Sequence, residues 1–92
     1  MGRFRFKRGI PLEYDVQGYI YFLSRRYRRL PQAKRKKIDE LCSKAGGQYA
    51  QALKAFVTAD RGAEEICGRY FISESTLERM VKRYYVLFAE EL

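Results

Sequence analysis

From Val16 to Phe88, apolar residues recur at spacings of three and four, the period that places them on one face of an α-helix. Four breaks, at Leu30-Pro31, Gly46-Gly47, Asp60 to Gly62 and Phe71 to Ser73, divide the pattern into five stretches. Helix one is expected from Asp15 to Arg29, with Asp15 as its N-cap and Val16, Ile20, Leu23, Tyr27 and Leu30 inward. Helix two follows Pro31, buries Ile38, Leu41, Cys42 and Ala45, and stops at Gly46-Gly47. Helix three starts near Gln48 and buries Tyr49, Leu53, Phe56 and Val57. Helix four covers Ala63 to Tyr70, with Ile66, Cys67 and Tyr70 inward. Helix five covers Glu74 to Glu90, with a buried stripe of Leu77, Met80, Val81, Tyr84 and Leu87 or Phe88.

Residues 1–14 have no helical period. Phe4 and Phe6 alternate with basic residues, as in an extended arm, and Gly9-Ile10-Pro11 breaks it. The pattern predicts an all-α fold, a small bundle of about five helices. It forms one helical domain over 15–92, with a helix-turn-helix at 63–85 and a basic aromatic arm at 1–14.

Composition narrows the class. The chain has 92 residues, so one domain is expected, and 15% aromatic content argues against full disorder. No apolar run reaches the roughly 18 residues of a bilayer span. Met1 to Arg8 lacks the apolar stretch of a secretion signal, and a cytoplasmic location is expected. There is no His, which excludes a His-containing zinc site. Cys42 and Cys67 lie 25 positions apart, and both are expected as small buried core residues rather than as a disulfide. No metal, cofactor or small-molecule ligand is implied. Without His, a Gly-rich phosphate loop or a metal-spaced carboxylate cluster, the chain reads as a binding protein and not an enzyme.

Charge changes the picture most. Residues 1–37 hold twelve Lys/Arg against Glu13 and Asp15, a net of +10, whereas residues 38–92 carry −2. Such asymmetry points to a polyanion partner for the basic half. The backbone or minor-groove candidates are Arg3, Arg5, Lys7 and Arg8 in the arm, Arg25, Arg26, Arg28 and Arg29 at the end of helix one, and Lys34, Arg35, Lys36 and Lys37 at the start of helix two. Tyr19, Tyr21 and Phe22 give helix one a second apolar side. It is expected to be buried core, with a dimer or partner interface as the alternative.

The stretch from Gly62 to Tyr85 carries the functional argument. A helix-turn-helix needs a small residue where its helices cross, and Cys67 sits there. It needs an apolar plug in the turn, and Ile72 supplies one. Its second helix needs an N-cap from Ser73 or Ser75, the latter forming a capping box with Glu78. The outer face must reach base edges and phosphates; Ser73, Glu74, Ser75, Thr76, Glu78, Arg79, Lys82 and Arg83 are the candidates. Glu78 stands four residues before Lys82, so an ion pair between them is the plain alternative.

Ile72-Ser-Glu-Ser-Thr-Leu-Glu-Arg79 resembles the turn and recognition-helix start of small bacterial and phage regulators. From about Ala50 to Leu92 the chain is similar to the stage III sporulation protein D type. The resemblance implies sequence-specific binding to double-stranded DNA, with the helix from Glu74 in the major groove, in a transcription regulator or an accessory protein of a phage or mobile element. Two features differ. Phe71 stands where such turns usually carry Gly, which predicts a slightly different turn. The segment from Arg61 to Leu92 holds five basic and six acidic residues, so phosphate contacts fall to the N-terminal half. A protein-interaction module built on the same helices is the competing function, and a membrane-surface binder using helix one is a third.

Overall fold

The computed structural model describes Lys7, residues 9–59 and residues 61–92. Among them lie five α-helices and two 3-10 turns, and no strand. The helices are α1 (Tyr14–Arg25), α2 (Gln32–Gly46), α3 (Ala50–Thr58), α4 (Ala63–Tyr70) and α5 (Glu74–Glu90); the 3-10 turns are Tyr27–Arg29 and Gly47–Tyr49. α2 packs most extensively on α3 and α5, and α1 lies against α3 and α5.

The apolar stripes meet in one core. Ile20 comes from α1, Ile38, Leu41, Cys42 and Ala45 from α2, and Leu53 and Val57 from α3. Ile66 comes from α4, and Leu77, Met80, Val81, Tyr84 and Phe88 from α5. Val16, Leu23, Tyr27, Leu30 and Phe56 are partly buried against it. Tyr49, expected inside, is exposed, because the 3-10 turn before α3 rotates it off the helical stripe, while Ala52 takes a core place. Cys42 is buried and Cys67 half-buried; both are free thiols.

Helix one is shorter than its apolar period suggests. It ends at Arg25, and Tyr27–Arg29 tighten into a 3-10 turn. Leu30 then adopts φ −80°, ψ 152°, the extended conformation that the following Pro31 favours. The tighter turn lets the Tyr27 hydroxyl donate to Asp39 Oδ1 at 2.8 Å. Lys54 Nζ lies 3.0 Å from the same carboxylate and 4.6 Å from the Tyr27 ring centroid, which ties α2 to α3. Asp15 is not the N-cap of α1. Glu13 occupies that position without a side-chain cap, and Asp15 accepts from Val16 N within the first turn.

Two adjacent glycines make the α2–α3 corner. A Cβ at Gly46 would lie 3.4 Å from Leu53 Cδ2, so the missing side chain lets α3 approach. Gly47 has φ 54° and ψ −124°, a conformation that other residues rarely adopt. α3 therefore begins at Ala50, two residues later than expected, and it ends at Thr58.

The core also reaches into the segment expected as an arm. Ile10 is buried and Leu12 packs beside it. The extended arm expected at Phe4 and Phe6, and the phosphate or minor-groove contacts expected of Arg3, Arg5 and Arg8, lie outside the described residues.

Candidate nucleic-acid interface

α4 and α5 are joined by three residues, Phe71, Ile72 and Ser73, the turn length of a helix-turn-helix. The backbone N–H groups of Phe71 and Ile72 both donate to Cys67 O, capping α4 as left-handed C-terminal residues do. Phe71 has φ 57° and ψ 48°. The expectation of a different turn is thus overturned: Phe71 adopts the left-handed conformation usually given to glycine. The two bonds to Cys67 O hold the backbone there, and the ring is 92% exposed.

Ile72 packs partly into the core as the plug. Cys67 also packs on the core, and desolvation together with the Glu74 carboxylate pushes its thiol up. Ser73 is extended at φ −79°, ψ 156°, and its Oγ accepts from Thr76 N at 3.1 Å. Ser73 is therefore the N-cap. The Ser75–Glu78 capping box does not form, because Ser75 already lies within the helix. Ser73 Oγ also donates to Thr76 Oγ1 at 2.9 Å, and Arg79 Nη2 reaches the same Oγ1 at 3.4 Å. The hydroxyls thus hold Arg79 toward the N-terminal turn.

Leu77, Met80, Val81, Tyr84 and Phe88 face inward, and Tyr85 joins them. Glu74, Ser75, Glu78, Arg79, Lys82 and Arg83 are exposed; Thr76 is half-buried. The alternative Glu78–Lys82 ion pair does not form; Glu65 of α4 pairs with Arg61 before it and Arg69 within it. Arg79, Lys82 and Arg83 of α5 keep their charge outward.

The basic clusters of the N-terminal half are not equivalent. Lys7 lies by the N-terminal half of α5. Burial and the nearby Arg25 guanidinium lower its pKa, and the Glu78 carboxylate partly opposes them. Arg25 stacks over the Tyr21 ring at 4.7 Å. It also favours the phenolate of Tyr85, although burial dominates and holds that phenol up at about 12. A groove of about 590 Å³ runs between the arm's foot and α5, with Lys7, Arg79 and Lys82 on its walls and Ile10, Leu77 and Val81 beneath.

The α2 cluster lies at the other end. Lys37 Nζ is 2.9 Å from Glu91 Oε1, just past the C-terminus of α5. A 17-residue helix spans about 25 Å, so Lys37 sits far from Ser73. Arg35 turns back to donate to Leu30 O at 3.0 Å. Lys34, Lys36, Arg26, Arg28 and Arg29 are exposed. On α1, Tyr19 and Phe22 are exposed as well, so its second aromatic side is not buried core as expected.

Sequence reasoning missed Gln17 and Ser24. Both are fully buried on the inner face of α1. Their signal was available: Gln17, Ile20 and Ser24 share one helical register, and a polar residue in a core register has to find partners.

Comparison of the chain with protein-family models, curated proteins and solved structures returns no match. No helix among the described residues is long and apolar enough to cross a membrane, and no three of their Cys, Asp or Glu side chains are grouped as a metal site.

Proposed function

We propose that this protein binds duplex DNA as a transcription regulator or an accessory protein of a phage or mobile element, acting in the cytoplasm. The observation that carries the reading is the α4–α5 junction: a three-residue turn with a left-handed Phe71, a plugging Ile72 and a capping Ser73. α5 enters the major groove with its N-terminal half. Ser75, Glu78, Arg79 and Lys82 face base edges, and a carboxylate such as Glu78 can accept from a cytosine amine. Lys7, Arg25 and Arg83 supply phosphate contacts. They fix orientation without reading sequence.

Fluorescence anisotropy of a random-sequence duplex, titrated at several salt concentrations, tests the reading. Wild type binds with a steep salt dependence, and an Arg79→Ala, Lys82→Ala double variant binds more weakly. No binding at low salt, despite a net charge of +8, rejects DNA and moves the function to a protein partner of the same helices.

A further inference from the structure

Gln17 is 0% exposed and makes four hydrogen bonds to the chain before α1. Its Oε1 accepts from Lys7 N at 2.8 Å. Its Nε2 is shared among the carbonyls of Lys7 at 3.0 Å, Leu12 at 3.1 Å and Ile10 at 3.2 Å. The segment thus curls around one side-chain amide, which stands in for the backbone partners that a loop lacks. A carboxylate could not donate to those carbonyls, and an ammonium could not accept from Lys7 N. The consequence is positional: Lys7 is held at the wall of the groove that Arg79 and Lys82 of α5 also line. Three basic residues from two separate elements line that groove together with Glu78, whose carboxylate acts on Lys7.

Building on the duplex-DNA reading, we propose that this groove seats one backbone phosphate, that Lys7 contacts it, and that Gln17 is the positioning residue that puts Lys7 there. A phosphate fits because the site offers excess positive charge from flexible side chains. The contact positions the duplex and carries no sequence information.

The test is the salt dependence of binding to two duplexes, one of random sequence and one selected from a random pool by the wild-type protein. Lys7→Gln leaves the backbone latch intact and removes the charge. It lowers the slope of log affinity against log salt by about 0.9, the loss of one phosphate contact. Gln17→Met keeps the charge and removes the latch, and it loses the same amount. The double variant loses no more than either single one, and preference for the selected duplex persists in all three. Far-UV circular dichroism checks folding. If Gln17→Met does not fold, Gln17→Asn, neutral and one methylene too short to keep the bond to Lys7 N, replaces it. An unchanged slope in Lys7→Gln overturns the inference, as does a full slope in a folded Gln17 variant or additive losses in the double variant. Wild type that binds neither duplex overturns the DNA reading itself, and the inference with it.

Discussion

Ser24 Oγ and Tyr84 OH, 60 positions apart in sequence, meet at 2.7 Å in the buried contact between α1 and α5. Ser24 donates its own proton to Ile20 O at 2.7 Å, so the phenol is the donor to Ser24. The pair joins the helix that carries Gln17 and Arg25 to the helix that carries Arg79 and Lys82. Ser24→Ala leaves a buried phenol without its acceptor and should cost about 1–3 kcal/mol. That corresponds to a fall in melting temperature of roughly 4–8 °C per kcal/mol for a domain of this size. Tyr84→Phe in the Ser24→Ala background should cost less than the two single losses added, because it removes the orphaned group. Thermal melts of the four proteins measure the coupling, and strict additivity would refute it.

Alkali should unfold this protein early. Burial pushes the Cys42 thiol up from 9.0 to about 12 and the Tyr85 phenol from 10.0 to about 12; Tyr84 moves further in the same direction. The folded state then holds these protons longer than the unfolded chain does. Stability is fully present below about pH 9 and is lost as pH rises toward about 12. Melting temperature against pH should be flat up to about pH 9 and fall beyond it. Tyr84→Phe should flatten the fall above about pH 10.

Phe71→Gly should not destabilise the protein. The left-handed conformation costs a non-glycine residue about 1–2 kcal/mol, and glycine's extra unfolded-state entropy offsets roughly half of that. The exposed ring contributes little packing, so the net change should lie between zero and about 1 kcal/mol of stabilisation. Phe71→Val, β-branched at φ 57°, should lose stability. Chemical denaturation of both variants measures the difference, and a marked loss in Phe71→Gly would mean that the ring packs on something.

The α2 lysines should matter less for DNA than the arm's foot. Lys37 is paired with Glu91 near the end of α5 that points away from Ser73. Lys37→Ala should change duplex affinity by no more than about twofold at moderate salt, against the full loss of one phosphate contact for Lys7→Gln. A larger effect of Lys37→Ala in the same titration would place the duplex across the α2 end.

Local pattern alone placed α4 and α5, because short-range signals agree there. The apolar stripe, the acidic first turn of α4 and the serines at the start of α5 all mark the same boundaries. The outward row of Glu78, Arg79 and Lys82 followed from helical period, and burial divides it from Leu77, Met80 and Val81 in the same way. Boundaries failed where a distant partner decided them. Helix one stops at Arg25 instead of Arg29 in a tightened turn that brings Tyr27 to Asp39 and Lys54.

The sequence by itself determined the all-α class and where the turn between α4 and α5 lies, because period, capping and turn chemistry act between residues a few positions apart. It also determined the excess of positive charge in the N-terminal half. Only the tertiary structure decided which of those charges stand by α5. Lys7 reaches α5 because Gln17, ten positions away, is buried and needs hydrogen-bond partners. Lys37 is drawn to the far end of the same helix by Glu91. Both outcomes depend on which groups packing brings within hydrogen-bond reach, and no local spacing encodes that.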